Sequence, residues 1–151
     1  MLLQRLMIIT MIFLPLPALS DYDAEKLKQG ISDNQEMFKV TGWIKSEDQQ
    51  NWIAKTQLKR VKISVGAQNA TFISPYINPR QIKSAKILCA EFAALAMTPK
   101  NEDELNSIKT TIKKSTTRHQ IKFISLNGVN FTVLPKLIGP VVSLHCSVKS
   151  L

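Results

Sequence analysis

Two cysteines constrain this chain more than any other feature. Cys89 and Cys146 are its only thiols, and each falls on the apolar side of the element that carries it. Around the first, the sequence reads "INPRQIKSAKILCAEFAALAM". Asn78 is a good helix N-cap and Pro79 suits the first helical position, where a missing N–H costs nothing. Ile82, Ala85, Cys89, Phe92 and Ala96 then recur at helical spacing, with Lys83, Lys86 and Glu91 off that stripe. Around the second, Val142, Leu144, Cys146 and Val148 alternate with Ser143, His145, Ser147 and Lys149. That alternation is the period of a half-buried strand. A helix face and a strand face must therefore meet in one core, and a Cys89–Cys146 disulfide is expected where they do.

Such a bridge needs an oxidising compartment. The chain opens "MLLQRLMIITMIFLPLPALS". One cation, Arg5, precedes an apolar run from Leu6 to Leu14, and small residues close the segment at Ala18-Leu19-Ser20. The run is too short to cross ~30 Å of hydrocarbon, and polar sequence follows at once. Residues 1–20 read as a secretory signal peptide, so a mature chain would begin near Asp21 and be exported, to a periplasm or outside the cell. Residues 21–151 are the size of one domain with one core, and no later stretch is apolar enough to anchor it in a membrane.

Adjacent His145 and Cys146 suggest a reactive pair, but neighbours on a strand face opposite sides. His145 points away from Cys146. A buried apolar setting also raises a thiol's pKa, the reverse of what a nucleophile needs. The bridge closes a loop of 57 residues (146 − 89).

Other elements follow from local chemistry. "DYDAEKLKQGI" begins a short helix that Gly30 should stop, and Phe38, Val40 and Ile44 suggest a strand. Ser46 with Gln49 has capping-box spacing, although the residues after it keep no clean period. "VKISV" and "ATFIS" alternate about a turn at 66–69, which predicts paired strands. Asn101 with Glu104, three acids in the first turn and Lys109, Lys113 and Lys114 later predict a second helix over 102–114. In "QIKFISLNGVNFTVLP", Asn127-Gly128 is the type I′ pair. It sets Leu126 against Val129, Ile124 against Phe131 and Lys122 against Val133. The expected fold is α+β, a single small domain with one disulfide. An antiparallel sheet from 58–75, 120–134 and 141–149 would carry two consecutive helices, 79–97 and 102–114, on one face.

Charge is unevenly spread. Without Arg5 there are 19 basic and 11 acidic side chains, a formal +8. Seven of the acids lie within 21–48, whereas 49–90 and 105–151 hold no acid and seven bases each. A field of one sign attracts anionic partners. Lys109, Lys113, Lys114, Arg118 and Lys122 form the densest basic stretch and are the expected binding face. Its one nearby aromatic is Phe123, with Trp43 and Trp52 elsewhere, which argues against single-stranded nucleic acid.

Specific chemistries find little support. Two histidines and two cysteines at scattered positions give no metal-ligand spacing. The glycines form no phosphate loop or dinucleotide fingerprint, and no nucleophile elbow is present. Neither cofactor nor metal is expected. Asn69 and Asn130 open sequons that matter only in a eukaryotic secretory pathway. The strongest enzymatic alternative is a metal-independent hydrolase, ribonuclease-like. His119 and His145 would be its acid and base, with Lys122 (or Arg118 or Lys113) at a phosphate. The leading expectation is a non-enzymatic exported binding protein, an inhibitor, immunity-type or envelope accessory factor. Its basic face would meet an acidic protein or an anionic surface.

Overall fold

Seven strands form a single antiparallel sheet in the order β1-β2-β3-β4-β7-β6-β5. The computed structural model describes residues 21–151, so the leader proposed at 1–20 lies outside the described residues. The elements are α1 (Ala24–Asp33), α2 (Gln35–Phe38), β1 (Val40–Lys45), β2 (Asn51–Thr56), β3 (Lys62–Gly66), β4 (Asn69–Tyr76), α3 (Pro79–Met97), α4 (Glu102–Arg118), β5 (Lys122–Leu126), β6 (Val129–Ile138) and β7 (Val141–Ser150). None of these helices is long and apolar enough to cross a membrane.

The core follows strand alternation. Ile63, Val65, Ala70, Phe72, Val129, Phe131, Val133, Leu144, Cys146 and Val148 are buried on one face of the sheet. The apolar stripes of α3 and α4 belong to the same cluster, through Ala85, Cys89, Phe92, Ala96, Ile108 and Ile112. Phe72 and Phe92 meet with ring centroids 5.9 Å apart. Cys89 and Cys146 are bonded across this contact, their Cα atoms 6.1 Å apart. The expected pairing is present, and it ties α3 to β7.

The caps explain where α3 and α4 begin and end. Asn78 accepts from the Gln81 N–H at 2.9 Å, and Thr98 closes α3 in the left-handed region with φ 46°. Asn101 accepts from the Glu104 N–H at 2.9 Å, while Glu104 accepts from the Lys100 N–H at 2.8 Å. That bond holds the Glu104 carboxyl below its usual pKa. The β5–β6 hairpin has the expected register. Its turn residues Asn127 and Gly128 have φ of 52° and 72°, as a type I′ turn requires. The Asn127 side chain donates to the carbonyls of Met97 and Thr98 and to Glu104. One amide thus joins the end of α3, the start of α4 and the hairpin.

Several expectations need correction. Gly30 does not stop α1, which runs on to Asp33. A Cβ at Gly30 would lie 2.9 Å from Leu95 Cδ2, so the glycine serves the close approach of α1 to α3. Phe38 closes α2 instead of opening a strand. Ser46 and Gln49 make the tight β1–β2 turn instead of a helix cap: the Ser46 hydroxyl accepts from the Asn51 N–H and donates to Asp48. Leu58 precedes the sheet segment, which starts at Lys62.

The N–H of Asp21 donates to the Asn127 carbonyl at 3.0 Å, and that of Leu151 to the Gly128 carbonyl at 2.9 Å. Close by in sequence, the Tyr22 hydroxyl lies 2.8 Å from both the Gly66 and Asn69 carbonyls. Burial pushes its pKa up.

Candidate basic interface

No strand of the sheet carries an acidic residue, whereas Lys45, Lys55, Lys62, Lys122, Lys136 and Lys149 all lie on strands. The acid-free runs of the sequence build β2 to β7, the first part of α3 and most of α4, whereas β1 lies in the acid-rich run. Acids occupy the segment leading into α1, α1 itself, α2, the β1–β2 turn, one position of α3 and the first turn of α4.

Helix α4 presents its cations in two rows, because residues four apart share a face. Lys109 and Lys113 form one row and Lys114 and Arg118 the other. The first row looks toward α3. With Lys86 it rims a hollow of about 560 Å³ whose apolar lining includes Ile87, Ala90, Leu105 and Ile112. The second row looks toward β5, where Lys114, Arg118 and Lys122 line a hollow of about 340 Å³ with Thr111 and Phe123. The residues expected to form a single basic face are thus divided between two hollows.

The second cluster is held in place by buried hydroxyls. Helix α4 runs one turn beyond the expected 114, to Arg118. Ser115 is fully buried in that turn. Its Oγ lies 2.6 Å from the Gln120 carbonyl and 3.1 Å from that of Val133, which clamps the helix end to β6. Thr116 Oγ1 donates back to the Ile112 carbonyl at 2.9 Å. His119 then reverses the chain with φ 49°, and β5 starts three residues later. Arg118 and Lys122 therefore face each other across a fixed corner.

The two histidines are not brought together. His119 is exposed at the end of α4. His145 is half-buried in the middle of β7, paired with Ile73 and Leu134. Strand β6 lies between β7 and β5, so His145 stands two strand spacings, about 10 Å, from the line of β5. His145 shares a hollow with Arg60, Lys62 and Ser143 instead. Burial, reinforced by Lys136, lowers its pKa, and its buried Nε2 has no hydrogen-bond partner among the described residues. Lys122 lies with the α4 cations and not with His145.

The tryptophans are already engaged. Lys28 and Lys45 stack on Trp52 at 4.0 and 4.4 Å from the ring centre, and Trp43 Nε1–H donates to Ser32 at 2.9 Å. Among the described residues, no group of three or more His, Cys, Asp or Glu side chains is placed to hold a metal ion. Comparisons with protein-family models, with curated proteins and with solved structures each find no match.

Proposed function

We propose that this chain is an exported, non-enzymatic binding protein, of the inhibitor, immunity or envelope-accessory kind, whose basic α4–β5 surface engages an acidic protein partner. One observation carries the reading: Lys114, Arg118 and Lys122 converge on one hollow, and no carboxylate of the described residues lines it. Such a cluster raises encounter rates with anionic partners and selects against cationic ones. The Cys89–Cys146 bridge supports export, because a stable disulfide is at home in an oxidising compartment.

Poly-glutamate is a suitable first probe. Its affinity should fall steeply between low and physiological salt, since exposed charges are screened beyond about 8–10 Å. Arg118→Glu with Lys122→Glu should weaken binding further. Binding that ignored both salt and charge reversal would rule the reading out.

A further inference from the structure

Among the described residues, the α4–β5 cluster lies beside an open edge of the sheet. Strand β5 is the terminal strand on that side. Because Leu126 and Val129 flank a two-residue type I′ turn, they exchange both of their backbone bonds. Hydrogen-bonded and non-hydrogen-bonded pairs alternate along an antiparallel ladder. Ile124 and Lys122 therefore also bond toward β6, while the N–H and C=O groups of Phe123 and Ser125 point outward from the sheet.

The opposite edge is protected in the ways natural sheets use. Strand β1 has a register shift between Val40 and Gly42, and the Val40 carbonyl accepts from the Gln35 side chain of α2 at 2.6 Å. Strand β5 has a regular register and leaves Phe123 73% exposed, with Ile121 just before it 57% exposed.

A groove runs along this open edge, between β5 and α4. The hollow at Lys114, Arg118 and Lys122 is followed by a second of about 490 Å³, which shares Thr111, Lys114 and Phe123 with the first. Ser107 and Thr110 line its middle and Asp103 its far end. The groove is therefore cationic at the Lys122 end, hydroxyl-lined in the middle and anionic at the Leu126 end.

We infer that this groove takes an extended peptide segment of a partner protein, added as a strand antiparallel to β5, with acidic residues or a free carboxylate at its C-terminal end. Strand addition supplies main-chain bonds at Phe123 and Ser125, and alternate side chains of the guest enter the groove. A guest antiparallel to β5 starts at the Leu126 end and finishes at the Lys122 end. Its C-terminus then meets the three cations, and its N-terminal part meets Asp103. A second copy of this chain is a poorer guest, because each copy carries a formal +8 over residues 21–151 (19 − 11). The inference rests on the basic-surface reading and narrows it to one kind of partner.

The test uses the full oxidised chain and three fluorescein-labelled synthetic peptides with the same alternating valine–threonine core. One carries glutamates at its C-terminal end, one at its N-terminal end, and one has glutamines instead. Fluorescence anisotropy should show the C-terminally acidic peptide binding at least about tenfold tighter than the other two. Hydrogen exchange by NMR should slow at the Phe123 and Ser125 amides. Ser125→Pro removes one outward donor but no β5–β6 ladder bond, since proline is accepted on an edge strand whose N–H faces out. It should cost at least about tenfold in affinity. Thr110→Trp, on the exposed helix wall of the groove, should do the same and decides the matter if the proline variant does not fold. Equal binding of the two acidic peptides, insensitive to both variants but lost with Arg118→Glu, overturns strand addition and leaves the basic surface standing. No salt-sensitive binding of any acidic probe overturns both. Dimerisation seen by sedimentation and abolished by Ser125→Pro assigns the edge to self-association and overturns the peptide.

Discussion

Breaking the Cys89–Cys146 bridge should remove a large share of this protein's stability. The bridge spans 57 positions. Loop-closure entropy for a loop of that length is about 14 cal/mol/K, or about 4 kcal/mol at 25 °C. Domains of this size are stable by only about 5–15 kcal/mol, so the loss should lower Tm by roughly 10–20 °C. Both cysteines are buried, at 0% and 1% exposure. Cys89→Ala with Cys146→Ala would therefore add a packing loss to the entropic one. Reduced wild-type chain keeps both sulfurs and separates the two effects. Urea denaturation followed by Trp43 and Trp52 fluorescence should place the oxidised chain most stable, the reduced chain about 4 kcal/mol lower, and the double alanine variant lower still. An oxidised–reduced difference under about 1 kcal/mol would refute the chain-entropy argument. Two thiols that alkylate in denaturant without prior reduction would refute the bridge itself.

Further outcomes are expected elsewhere. Asn127→Gly keeps the turn conformation but loses three side-chain bonds, whereas Asn127→Ala also strains φ 52°. Urea midpoints should rank wild type, Gly, Ala, with the last two about 1–2 kcal/mol apart. Ser115→Ala leaves the Gln120 and Val133 carbonyls without the hydroxyl and should cost about 1–3 kcal/mol. Hydrogen exchange should quicken at Gln120 as the α4 corner loosens. His145 has a lowered pKa in the folded chain, so the unfolded chain binds the proton more readily. Stability should be full above the ordinary histidine range and fall as pH drops through it. His145→Gln should flatten the change in urea midpoint between neutral and mildly acidic buffer, and an unchanged slope would refute this.

Local chemistry made much of this fold readable. Asn127-Gly128 fixes a turn, the turn fixes a register, and the register fixes which side of β5 and β6 is buried. Asn78-Pro79 places the start of α3 in the same way. Reading failed where tertiary contact outweighs local preference. Gly30 resembles a helix stop, but Leu95 of α3 occupies the space a side chain would need. The last turn of α4 buries Ser115 and Thr116, and an apolar period cannot register polar residues whose hydroxyls are bonded to carbonyls. The candidate site divides along the same line. Counting charges identifies Lys114, Arg118 and Lys122, but only the chain reversal at His119 sets them beside an open strand edge.

Asp21 and Leu151 hang from successive carbonyls of one turn, at Asn127 and Gly128. A chain made as residues 21–151 would therefore be almost a closed ring, with its seam at the β5–β6 bend. A short tether across that seam would allow the chain to be reopened at another exposed bend, such as 47–50, with each strand keeping its neighbours. Cargo fused at either position would emerge at the same corner, beside the Leu126 mouth of the groove, so a bulky tag there would obstruct the surface whose partners it was meant to reveal.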